Sequence, residues 1–122
     1  VRRGDGPKPC FNYTMASIAT TDKLIAEKPD VARAAVRALV KTQRALKKDP
    51  TLATPVGKKL FPPSEAELIA ELIRRDGPYY DSTISREFVA GMAQFSRDVG
   101  ILKGQLPYEE AVATQFANEW AG

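Results

Sequence analysis

Pro29 and Pro50 bracket a run that contains neither glycine nor proline, and this bracketing constrains the fold more than any other feature of the chain. Pro29 is preset near helical φ and needs no amide partner, so it suits the first position of a helix, with Asp30 favourable at the positive end of the dipole. Asp49, as the residue before Pro50, is pushed out of the helical region, and Lys47 and Lys48 suit the negative end just before it. In between, Val31, Ala35, Leu39, Thr42 and Leu46, flanked by Val36 and Val40, recur at helical spacing, while Arg33, Arg37, Lys41 and Arg44 take the other side. The pattern predicts an amphipathic helix from Asp30 to Lys48 with a solvated basic face.

Similar punctuation divides the rest of the chain. Residues 1–11, with Gly4, Gly6, Pro7 and Pro9, read as a loop. From Asn12 to Thr20, β-branched and small residues in incomplete alternation predict a strand covered on both sides. Thr20-Thr21-Asp22 reads as the N-cap of a short helix over Asp22–Glu27, ended by Pro29. A second short helix is expected over Thr51–Leu60, weakened by Pro55 and Gly57. Ser64-Glu65-Ala66-Glu67 has the form of a capping box ahead of a helix with Leu68, Ile69, Leu72 and Ile73 as its core stripe. Asp76-Gly77-Pro78 closes that helix, leaving Tyr79 and Tyr80 in a loop. A helix over Ser85–Val99 carries Phe88, Val89, Met92, Phe95 and Val99 at core spacing, with Gly100 as its C′ residue. After Leu102-Lys103-Gly104, Pro107 starts a last helix that buries Val112, Phe116 and Trp120. The expected fold class is mainly α, five or six helices with one short N-terminal strand. A lone strand must find ladder partners elsewhere, either in an oligomer or in a sheet supplied by more polypeptide.

Composition narrows the chemistry. At 122 residues, 43% hydrophobic and 27% charged, the sequence is that of an ordinary globular domain. There is no histidine and only one cysteine, Cys10. Serine–histidine or cysteine–histidine nucleophile systems, internal disulfides and zinc sites of Cys/His spacing are therefore outside its reach. No apolar run approaches the ~20 residues of a membrane span, and VRRGDGPKPC lacks the apolar stretch of a signal peptide. The net charge of +3 comes from basic and acidic residues interleaved along the chain, a pattern that bears on solubility more than on nucleic-acid binding.

The order of these elements resembles a known family. The segment ATTDKLIAEKPDVARAAVRALVKTQRALKKDP, a capped helix, and then REFVAGMAQFSRDVGILKGQLPYEEAVATQFANEW are similar to the C-terminal part of solute-binding proteins of ABC importers, in the class serving thiamine-pyrimidine precursors, sulfonates and nitrate. The features that carry the likeness are the returning strand, the short helix ending in Glu27-Lys28-Pro29-Asp30, the long Ala/Arg-rich helix, and Phe95-x-x-x-x-Gly100-Ile101-Leu102 before a Pro107-Tyr108 helix start. The likeness runs from about Phe11 to Trp120 and covers less than half of a typical family member. It implies a fragment of a two-lobe α/β fold of the periplasmic binding-protein type II kind. Residues 1–122 would then form one segment, with a loop at 1–11, a crossover strand at 12–20 and the helical part of one lobe at 21–122.

Such a protein captures a small polar molecule outside the cytoplasm, in the periplasm or its equivalent, and delivers it to a membrane permease without chemistry of its own. The resemblance thus implies no catalytic residue, no metal and no cofactor. Its partners would be the small-molecule ligand, the permease, the N-terminal part of the same protein and, through the unpaired strand, another copy; nucleic acid is not among them. Pockets of this type are largely apolar with a few polar groups, so Phe11, Asn12, Tyr13 and Thr14, at the start of the crossover strand, are the candidate ligand-binding residues. An aromatic platform with amide and hydroxyl hydrogen bonds is one reading of these four, and local packing of a loop and edge strand is the other. Tyr79 and Tyr80 could gate a cleft or pin a loop; Glu65, Glu67 and Glu71 read as a solvated first turn, and Trp120 as core. Two other functions share the sequence features: a pyrimidine-synthesis enzyme on the same fold, and a free-standing helical interaction domain using the Arg33–Lys48 face.

Overall fold

The structure, a computed structural model, describes residues 17–120. Among these residues the chain is mainly helical, with seven α-helices, three short 3-10 turns and no strand. The strand expected over 12–20 is not formed in its described part: Ser17–Thr20 has no regular secondary structure. No other strand among the described residues offers those backbone groups a ladder. Residues 12–16 lie outside the described residues.

The described residues divide into two compact units, one spanning Thr21–Ser82 and the other joining residues 83–120 with residues 17–20. The Thr21–Ser82 unit opens with α1 (Asp22–Glu27), capped by Thr21, whose hydroxyl accepts from the Leu24 amide at 3.2 Å. Lys28 separates it from α2 (Pro29–Lys48), which has Pro29 at its first position as the sequence predicts. At the far end the Asp49 carboxylate accepts from the Thr51 amide at 3.0 Å and from its hydroxyl at 2.6 Å, turning the chain into a 3-10 turn over Pro50–Leu52. The helix α3 (Ala53–Leu60) follows directly. Pro55 is accommodated because it falls in the first turn, where amides have no intrahelical partner.

Two expectations for this unit are corrected. The face of α2 that is buried or half-buried comprises Ala32, Arg33, Val36, Val40, Gln43 and Leu46, while Val31, Ala35, Leu39 and Thr42 are exposed. The buried stripe is thus turned by roughly one residue, about 100°, from the one read off the larger side chains. The helix α4 (Pro63–Asp76) begins one residue before Ser64, with Pro62 at the N-cap and no side-chain cap bond, so the Ser64–Glu67 capping box does not form. Pro63 at the first helical position sets that start, and it leaves Ser64 inside the helix where it cannot cap. Within α4, Ala66 is completely buried and Ile69 and Ile73 are half-buried, but Leu68 and Leu72 are exposed.

The two-residue connection Phe61-Pro62 makes α3 and α4 a helical hairpin, and the two helices meet through small residues. A Cβ on Gly57 would lie 3.0 Å from Ile69 Cδ1 and 3.5 Å from the Ala66 Cα and carbonyl oxygen. The chain then passes through a 3-10 turn at Gly77–Tyr79, and Lys47 Nζ at the end of α2 donates to the Tyr80 carbonyl at 2.8 Å.

In the other unit, Ser85 caps α5 (Arg86–Asp98), its Oγ accepting from the Phe88 amide at 3.0 Å. The C-terminus of α5 is a Schellman motif around Gly100, whose φ of +77° only glycine adopts without cost. The Gly100 amide donates to the Arg97 carbonyl at 3.0 Å, and the Ile101 and Leu102 amides both donate to Ser96, at 2.8 and 3.0 Å. The helix expected after Pro107 is split into α6 (Tyr108–Ala111), a 3-10 turn at Thr114–Phe116 and α7 (Ala117–Trp120). The break comes at Val112, which adopts an extended conformation. Val112, Phe116 and Trp120 are buried as expected, as is Val89 of α5, while Phe88 and Met92 are half-buried and Ala93, not among the expected residues, is buried. Phe95 and Val99, expected in the core, are exposed.

The α3–α4 crossing yields a prediction with two arms. Gly57→Ala meets only the mobile end of Ile69 and gains helix propensity, so chemical denaturation should show it stabilised by about 0.5 kcal/mol. Gly57→Val drives γ-carbons toward the Ala66 backbone and should destabilise by about 1–3 kcal/mol. Equal behaviour of the two variants would mean that the helices do not approach closely at this point.

Candidate functional site

The four residues to which the sequence gives a ligand-binding role, Phe11, Asn12, Tyr13 and Thr14, lie outside the described residues, as does Cys10. The remaining candidates can be placed. Glu65, Glu67 and Glu71 are all exposed on α4, and Glu71 pairs with Arg74 one turn on. A solvated helix surface accounts for this arrangement. Tyr79 is exposed, while Tyr80 is half-buried with its carbonyl held by Lys47. That bond ties the loop after α4 to the end of α2, a pinned loop rather than a gate.

Of the basic face of α2, Arg37, Lys41, Arg44 and Lys48 are exposed and Arg33 is half-buried. Among the described residues no polar or charged side chain is buried, and no group of three or more His, Cys, Asp or Glu could hold a metal ion. No helix among the described residues is long and apolar enough to cross a membrane.

The best-built polar constellation joins the start of α5 to α6. The Arg86 guanidinium lies 4.4 Å from the Tyr108 ring centroid and donates to Glu109 Oε1 at 2.5 Å. The Tyr108 hydroxyl donates to the Ile84 carbonyl at 2.5 Å. One residue clamps the neighbouring loop and the other two form an ion pair beside it, so the segment Ile84–Arg86 is fixed to the first turn of α6. Sequence reading singled out Tyr108 only as part of a Pro-Tyr helix start and missed Arg86 and Glu109. Their 23-residue separation leaves no local pattern to detect.

Arg86 and Glu109 are exposed, which limits the energetic weight of the pair. The hydrogen bond from Arg86, with a backbone hydrogen bond second, holds the Glu109 carboxyl below its usual range. Two bonds from Thr51, the hydroxyl first and the amide second, do the same for Asp49. The group as a whole positions backbone; it offers a cation, a π-face and a carboxylate already satisfied by one another.

Comparison with protein-family models, curated proteins and solved structures finds no match to this chain.

Two measurements check the constellation. Tyr108→Phe removes the bond to Ile84 and should cost about 0.5–1.5 kcal/mol in denaturant unfolding, with the helical circular dichroism signal unchanged. For Glu109 the depressed folded-state pKa means that its stabilisation is complete above the ordinary carboxylate range and lost as pH falls below it. Wild type should therefore lose slightly more melting temperature than Glu109→Gln between pH 6 and about pH 3 at low salt; parallel profiles would remove the Arg86 pair from the stability of the fold.

Proposed function

We propose that this chain is the C-terminal part of the solute-binding component of an ABC importer, a receptor that captures a small polar molecule such as a pyrimidine precursor, sulfonate or nitrate and hands it to a membrane permease. The observation that carries the reading is the order and punctuation of the helices. A capped six-residue helix ends at Glu27, two residues before Pro29, and leads into a 20-residue helix. Further along, α5 ends in the Gly100-Ile101-Leu102 turn, and Pro107 caps the Tyr108 helix. Each of these junctions coincides with a motif by which the sequence resembles that family.

In this reading the helices belong to one lobe of a two-lobe α/β fold of the periplasmic binding-protein type II kind. The other lobe, and strands to pair with the segment leading to Thr20, come from the N-terminal part of the same protein. Exposed apolar side chains at helical spacing, Leu52, Val56 and Leu60 in one unit and Phe95 and Val99 in the other, favour a chain that packs against further polypeptide. The ligand is held partly by Phe11, Asn12, Tyr13 and Thr14, no group of this chain acts as a catalyst, and the protein works in the periplasm or an equivalent extracytoplasmic space.

The natural gene product, measured by intact mass, should exceed twice the 13.4 kDa of this chain; a natural product of 13.4 kDa would overturn the reading. In the full-length protein, one member of a panel of pyrimidines, sulfonates and nitrate should raise the melting temperature by several degrees. At a hundred times its Kd such a ligand adds about 2.7 kcal/mol to stability. The isolated 122 residues should show no shift with the same ligand.

The pocket assignment is tested separately, by calorimetry on the full-length protein with the ligand so found. Asn12→Ala and Tyr13→Ala should each weaken binding about tenfold or more, equivalent to about 1.4 kcal/mol. Unchanged affinity in both would remove the crossover segment from the pocket while leaving the receptor function standing.

A further inference from the structure

We draw no further inference here: the strongest candidate, the apolar side chains left exposed along the α3–α4 hairpin at Val56, Leu60, Phe61, Leu68 and Leu72, is an unpartnered helix face, and nothing in the structure shows what covers it.

Discussion

Close approach through small side chains is the constraint on which the Thr21–Ser82 unit depends. Every buried residue in it is alanine, glycine or valine: Ala32, Val40, Ala53, Gly57, Ala66 and Gly77. Helices that meet at such positions can bring their backbones near one another, as Gly57 and Ala66 do. The gain per residue is modest, since a buried methyl is worth about 0.8 kcal/mol where a fully buried leucine gives about 1.5–3 kcal/mol. A unit built this way draws proportionally more on satisfied helix ends and fixed turns. The other unit differs, because Phe116 and Trp120 bring large buried surfaces to it.

The helix ends supply that second contribution, and they do so with local chemistry. Thr21 and Ser85 each satisfy a first-turn amide, Asp49 closes the turn after α2, and Gly100 gives the last carbonyls of α5 their partners. Pro29 and Pro63 start helices at positions where a missing amide costs nothing. All of these act within three or four residues of themselves. This is why the bounds of α1, the start and stop of α2, and the end of α5 at Gly100 were legible in the sequence, and why the failure at Ser64 came where two local signals competed and proline prevailed.

Burial was less legible, for a reason the first constraint explains. Reading a hydrophobic stripe weights large side chains, so Val31 and Leu39 stood out in α2 and Leu68 and Leu72 in α4. The structure instead buries the alanines beside them, Ala32 and Ala66, because contact at short interhelical distance selects for size rather than hydrophobicity. Where the buried residues are themselves large, as at Val112, Phe116 and Trp120, the stripe was read correctly even though the helix carrying it is interrupted. Tertiary bonds were not legible at all: Lys47 to Tyr80, Arg86 to Glu109 and Tyr108 to Ile84 join residues 33, 23 and 24 apart, with no periodicity linking the partners. The candidate ligand residues Phe11 to Thr14 lie outside the described residues and rest on the sequence.

Leucines outside and alanines inside are an inverted distribution, and the inversion bears on function. A scattered exposed leucine needs no explanation, because folded proteins expose much apolar surface. Here the exposed residues repeat four apart, Leu52, Val56 and Leu60, then Leu68 and Leu72, and Phe95 and Val99 in the second unit. Four apart is the spacing of one helix face, and Val56 with Leu60 in α3 and Leu68 with Leu72 in α4 share a face in this way, whereas Leu52 lies in the preceding 3-10 turn and Val99 just past the end of α5. Turned inward, such surface would stabilise a fold by about 25 cal/mol for each Å² removed from water.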